Sequence, residues 1–272
     1  MDFPIYDSAQ RAAPMVEEFI QVIRYRDLIV QLVRRDILAR YKRSVLGVAW
    51  TMLHPIGMMI VLTVVFSRVF SSTQGYAAYL LSGLIAWTFF AQTTTAAMTQ
   101  LVWGSSLLHR IYVPRTVFAI SSVGTGLVNL LLSLIPLSAV MLFTGVPIRL
   151  TVIVLPVSIL LAAMFALGVG LLFSIWAVYF PDVAEMYQIV LMAWMYLTPV
   201  IYPEEIIPEA FRWWLFNLNP MYHLVKLFRL PLYYGTWLSL AHLAFVAIAV
   251  FVFLGISWVV FTSKSDEFTY RI

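Results

Sequence analysis

Between Arg115 and Asp182 the chain carries a single charge, Arg149. No water-soluble fold can cover so long an apolar stretch with polar surface. Lipid is the solvent that accepts it. A membrane-spanning helix needs about 20 mostly apolar residues, and the runs 116–148 and 150–181 each supply them. The same reading marks 44–67, 76–102, 186–203 and 230–263, the last with its apolar heart at 237–261. β-barrel strands would instead be short alternating segments. Hydrophobic residues make up 62% and charged residues 11% of the 272, against about 45–50% and about 25% in soluble domains. The expected fold is an all-α integral membrane protein with six transmembrane helices.

Orientation follows from lysine and arginine. With the N-terminus inside, twelve of the seventeen basic residues fall in cytoplasmic segments. Both termini are therefore expected in the cytoplasm. The first forty residues carry charge throughout and show no apolar region of a secretory signal. The expected organisation is a cytoplasmic N-terminal segment at 1–43, a six-helix domain at 44–262 and a cytoplasmic tail at 263–272.

Two pieces are not spans. Over 16–41, Phe19, Ile20 and Ile23, then Leu28, Ile29, Leu32 and Val33, recur at helical spacing among charges. This predicts an amphipathic helix on the cytoplasmic membrane face. The second piece is 203–234. Pro203 before Glu204 and Glu205, and Pro208 before Glu209, read as helix starts. Its large apolar residues and its prolines together predict a re-entrant helical hairpin between the fifth and sixth spans, shielded from lipid by protein or facing water.

Several chemistries are excluded. The chain has no cysteine, and its four histidines (His54, His109, His223, His242) lack metal-ligand spacing. A phosphate-binding loop needs a Gly-Lys pair, but Lys42, Lys226 and Lys264 follow Tyr41, Val225 and Ser263. No span contains a carboxylate pair, so ion coupling lacks its usual groups. Transport would draw energy from a separate ATPase. Its handle is expected in 104–116, where apolar residues and arginines mix. Ser158, Ala162, Ala166, Gly170 and Ser174 recur every four residues, a spacing that lets helices approach closely in lipid. Aromatics within spans, among them Phe89 and Phe90, have faces on which sugar rings stack.

Specific strings then carry a resemblance. Arg40-Tyr41-Lys42-Arg43-Ser44-Val45-Leu46-Gly47, with Trp50 and His54-Pro55, resembles the start of the first span in permeases of polysaccharide-exporting ABC transporters. Arg110-Ile111-Tyr112-Val113-Pro114-Arg115, Thr198-Pro199-Val200-Ile201-Tyr202-Pro203 and Asn219-Pro220-Met221 resemble later motifs of that family in order. So does Tyr179-Phe180-Pro181-Asp182-Val183, although Pro181 stands where the family carries arginine. The relatives export O-antigen, capsule or teichoic acid.

The resemblance implies a homodimer bound to two copies of a nucleotide-binding ATPase in the bacterial inner membrane. No cofactor belongs to this chain; ATP and Mg belong to the partner. Candidate ATPase contacts are Arg34, Arg35, Leu108, His109, Arg110, Tyr112, Pro114, Arg115 and Asp182. Candidate residues of a glycan path are Tyr41, Trp50, Trp87, Tyr187, Trp194, Tyr196, Tyr202, Trp213 and Trp214. Two other readings stay open: an ABC exporter of a drug or small lipid, and a membrane-embedded glycosyltransferase or polymerase. The second would need an acidic or histidine cluster at a membrane face, and Glu204 with Glu205 is the one acidic pair in a plausible place.

Overall fold

Ten α-helices and three short helical turns carry the chain in the computed structural model, which describes residues 14–41, 47, 49–103 and 113–264. Among the described residues there is no strand. Four helices are long and apolar enough to cross a membrane. They are α3 (Ala49–Phe66), α5 (Thr116–Phe143), α6 (Leu155–Tyr179, led in by a 3₁₀ turn at Leu150–Val154) and α10 (Leu240–Lys264).

The other two expected spans take helical form but depart from that standard, each for a local reason. Helix α4 (Tyr76–Trp103) has 28 residues, about 42 Å at 1.5 Å per residue. Its hydropathy is lowered by Gln92, Thr93, Thr94, Thr95 and Gln100. These are tolerated because α4 is the central helix, packed against α3, α5, α6, α7 and α9. Thr94 and Thr99 donate their hydroxyls to the carbonyls of Phe90 and Thr95, both at 2.9 Å, which satisfies them without water. Helix α7 (Val183–Leu197) has 15 residues, where the apolar run predicted 186–203. It stops before Pro199, whose ring disfavours helix in the preceding residue. Thr198 is extended.

Small residues set the distances between helices. A methyl group at Gly170 of α6 would lie 2.8 Å from the Ala97 side chain of α4, and one at Gly126 of α5 would lie 2.1 Å from the Thr93 hydroxyl. Ser158 donates to the Leu227 carbonyl at 2.8 Å. The four-residue stripe on α6 is therefore a packing surface toward α4 and α9 (Pro220–Arg229). Phe90, Phe165, Trp194 and Phe253 continue the same core as a chain of ring contacts 5.2–6.5 Å apart.

The expected single helix over 16–41 is two, α1 (Pro14–Arg24) and α2 (Arg26–Tyr41), broken at Tyr25. On α2, Leu28, Ile29 and Leu32 pack against Val113, Val117 and Phe118 at the start of α5. On α1, Glu18 is buried and accepts from the Thr116 hydroxyl at 2.8 Å. It thus puts a carboxylate at the positive end of α5, whose flanking Arg115 provides no side-chain cap. Val16, Phe19, Ile20 and Ile23 form an exposed apolar stripe on α1.

Pro203 and Pro208 each precede a helical turn as expected. Pro203 leads into Glu204–Ile206, and Pro208 leads into α8 (Glu209–Asn217). Helix α9 follows, then a widened turn at Leu230–Tyr234. At the end of α9, Arg229 is 4% exposed, and among the described residues no carboxylate touches it. Its guanidinium donates to the carbonyls of Pro199 and Val200 at 2.5 Å each and to the Tyr79 hydroxyl at 2.9 Å, and it lies 3.8 Å from the Tyr79 ring centre. One cation thus joins α4, the segment after α7 and α9. Arg229→Met keeps the stem but strands those acceptors. It should cost about 3–5 kcal/mol, read as a lower unfolding midpoint in detergent. Arg229→Lys should fall nearly as far, because an ammonium lacks the planar fork.

Candidate functional site

Polar bonds tie α2 to the last turns of α4 and the first turns of α5. Asp36 pairs with Arg35 at 2.8 Å and accepts from the Gln100 amide at 2.8 Å. Gln100 in turn accepts from the Ser121 hydroxyl at 3.4 Å. Arg34 and Arg35 project from the exposed side of α2. Pro114 is buried and Arg115 half-buried immediately before α5, and Asp182 is exposed in the turn between α6 and α7. Leu108, His109, Arg110 and Tyr112 lie outside the described residues.

The aromatic candidates separate into two groups. Trp87 and Tyr187 are 5% and 1% exposed. Tyr187 donates to the Thr94 hydroxyl at 2.7 Å, and Trp87 meets Trp194 edge-on at 6.2 Å. These three rings belong to the packing of one copy of the chain. Trp50, Tyr196, Trp213 and Trp214 are each more than half exposed. Tyr202 is half-buried and donates to the Tyr196 carbonyl at 2.7 Å. Tyr41 closes α2, with its side chain outside the described part.

The opposite end has its own polar constellation. Glu204 accepts from Lys226 at 3.1 Å and from the Tyr222 hydroxyl at 2.9 Å. Burial first, and the Glu204 carboxylate second, push the Tyr222 phenol far above its ordinary value, so it stays protonated and donates. This pairing answers what the lone acidic pair does. Glu204 is engaged with a cation and a phenol, and Glu205 is exposed. Nearby, His223 Nδ1 lies 3.0 Å from His242 Nε2. Burial, then His242 and Lys226, push His223 down to about 4, so a neutral ring faces its neighbour. Among the described residues no three potential ligands converge as a metal would need.

Asn219 explains the Asn-Pro-Met string. Its side-chain oxygen accepts from the backbone N–H groups of Met221 and Tyr222 and from the Trp194 indole at 2.8 Å. Its amide donates to the Thr198 hydroxyl at 2.9 Å. Pro220 occupies the first helical position, where a missing N–H costs nothing.

Comparison with known proteins then decides the family. The ABC-2 type transporter family matches residues 27–233. The chain belongs to that family. An O-antigen export system permease protein of Myxococcus xanthus is 29% identical over 261 residues, 95% of this chain and all of that protein. A permease of the same name from Klebsiella pneumoniae is 28% identical over 206 residues, 75% of this chain and 79% of its own. The polysialic acid transport protein KpsM of Escherichia coli is 26% identical over 234 residues, 82% and 88%. All five recognised strings lie inside the ABC-2 range, while α1 and α10 flank it.

Sequence reading missed Arg229. Its signal was an arginine between Phe228 and Leu230, far from any acid in the chain. It also missed the His223–His242 contact, because their 19-residue separation fits no ligand pattern. Asn219→Ala should remove a helix cap and strand the Trp194 indole, lowering stability by about 2 kcal/mol. Asn219→Asp keeps the acceptor and should lose less. Thermal unfolding of the two variants in detergent measures the difference.

Proposed function

We propose that this chain is the permease subunit of an ABC exporter that carries a lipid-linked polysaccharide across the bacterial inner membrane. The end-to-end similarity to an O-antigen export permease carries this reading. The absence of a Gly-Lys pair supports a separate ATPase, which would hold ATP and Mg. In this reading α4 and α7 join the four long apolar helices as six spans, with both termini in the cytoplasm. The α1 stripe of Val16, Phe19, Ile20 and Ile23 lies in the inner interface. The 203–234 segment dips into the outer leaflet, its irregular backbone shielded by the Arg229 contacts.

Two copies pair with two ATPase subunits. Helices α3 and α7 carry exposed apolar faces, with Val61, Val64, Ile189 and Met192 among them, and these suit a channel boundary between copies. Trp50, Tyr196, Trp213 and Trp214 offer flat faces on which a polymer can slide. A long glycan cannot be enclosed in one closed cavity, so a continuous path with stepwise movement is the physical requirement. Closure of the ATPase pair pushes on α2 and the 104–116 segment, and the Asp36–Gln100–Ser121 bonds pass the displacement to α4 and α5.

The test is reconstitution of export in cells lacking this chain. Export should return with the chain and its ATPase, and vanish with an ATPase that cannot hydrolyse ATP. Export that persists without the ATPase would sink the proposal. Asp36→Ala should leave the complex assembled and hydrolysing ATP, yet slow export by about tenfold, or ~1.4 kcal/mol of barrier.

A further inference from the structure

The cleft between α3, α4 and α5 has no assigned role, and its chemistry is out of keeping with its depth. It encloses about 190 Å³, the room of about six waters at ~30 Å³ each. Trp50 and His54 reach it from α3, Thr88, Gln92 and Thr93 from α4, and Asn129 from α5. The α4 residues lie near the middle of that helix and Asn129 near the middle of α5. Polar side chains at such depth are costly unless they meet protein, water or a ligand.

Thr93 is the decisive residue. It is 1% exposed, and its hydroxyl has no hydrogen-bond partner among the described residues. The next threonine, Thr94, bonds back to the preceding turn, so the helix does not forbid that solution. An unmade bond at a buried hydroxyl costs about 1–3 kcal/mol. Gly126 packs directly against it, since a methyl group there would sit 2.1 Å from the Thr93 oxygen, and it lines the same cleft.

The lining also specifies what fits. It contains no lysine, arginine, aspartate or glutamate, so it offers nothing to balance a phosphate or diphosphate. Its hydroxyls, amides and imidazole are mixed donors and acceptors, which an acyl chain would leave unpaired. Donors and acceptors mixed over one small volume match the hydroxyls of a sugar. Trp50, 57% exposed at the margin, adds a flat apolar face for the ring.

We propose that this cleft binds one uncharged sugar residue of the passing glycan, within a single copy of the permease. The proposal rests on the polysaccharide-export reading. It moves part of the glycan's footing from the boundary between copies to the α3–α4–α5 cleft.

The chain has no cysteine, so Thr88→Cys places its only thiol in the cleft. The probe is the cell's own lipid-linked glycan. The complete transporter, with a hydrolysis-deficient ATPase, is compared in cells that make the glycan and cells blocked in making it. Labelling of Thr88→Cys by a small charged thiol reagent should slow severalfold when glycan is present. Ser263→Cys, exposed at the far end of α10, should label equally in both. Thr93→Val, nearly isosteric and losing no protein bond, should stay folded with its ATPase while export falls severalfold. Equal labelling of Thr88→Cys with and without glycan, or full export by Thr93→Val, would overturn the proposal and mark the cleft as holding water only. If either occurs while export still requires the chain and ATP hydrolysis, the wider reading stands. Loss of that requirement fails the wider reading itself.

Discussion

A buried cation that touches no acid among the described residues governs the end of the bundle where α4 begins and α9 stops. Arg229 has been taken out of water, and the energy of that step must be recovered from oriented dipoles. Two carbonyls at 2.5 Å and the Tyr79 hydroxyl and ring meet that need. The consequence is geometric, because carbonyls act as a cage only when the backbone is turned inward. The segment after α7 therefore cannot continue as helix, where its carbonyls would be committed to the next turn. Gly83 belongs to the same requirement, since any side chain there would occupy the guanidinium position. Tyr76 and Tyr79 bind the carbonyls of Ile201 and Tyr202 at 2.9 and 3.1 Å, so the first turns of α4 and the 198–202 turn are one unit.

At the opposite end of the bundle the tie is of another kind. Asp36, Gln100 and Ser121 are joined through neutral and singly charged groups, one of them partly open to solvent. Bonds of this type are individually weak and can be exchanged for water. The same end also buries the Glu18 carboxylate against Thr116, so the two ends differ in what they bury: a cation in a cage of carbonyls at one, a carboxylate at the start of a helix at the other.

Much of this was legible in the residues, and the gaps have physical causes. Absence of charge located α3, α5, α6 and α10, because desolvating a charge is the dominant cost in lipid. It located α4 from its first residue, 76, to within one residue of its last, 103, despite the threonines. It placed α7 late, since an uncharged run does not distinguish helix from the carbonyl cage that follows Leu197. The break at Tyr25 was hidden by a hydrophobic period that continues across it. The aromatic candidates fall into two placements, because composition does not say which face a ring occupies. Trp87 and Tyr187 are core residues, and Trp50 and Trp214 are not. Arg229 was illegible for a simpler reason: its main partner, Tyr79, lies 150 residues away.

Helix α3 is the least embedded of the long helices, with Val61, Val64 and Val65 between 59% and 77% exposed. It also precedes in the chain the α4 and α5 surfaces against which it rests. During synthesis it must therefore wait in the bilayer as a lone helix until those neighbours arrive. Beyond Gly57 its exposed face is made of valine, isoleucine and methionine, while Trp50, Leu53 and His54 are exposed nearer its start. The order of synthesis makes α3 the last wall to settle although it precedes the surfaces it rests on. A delay in translation between α3 and α5 would lengthen the interval in which the polar side of α3, with Thr51 and His54, faces lipid unprotected.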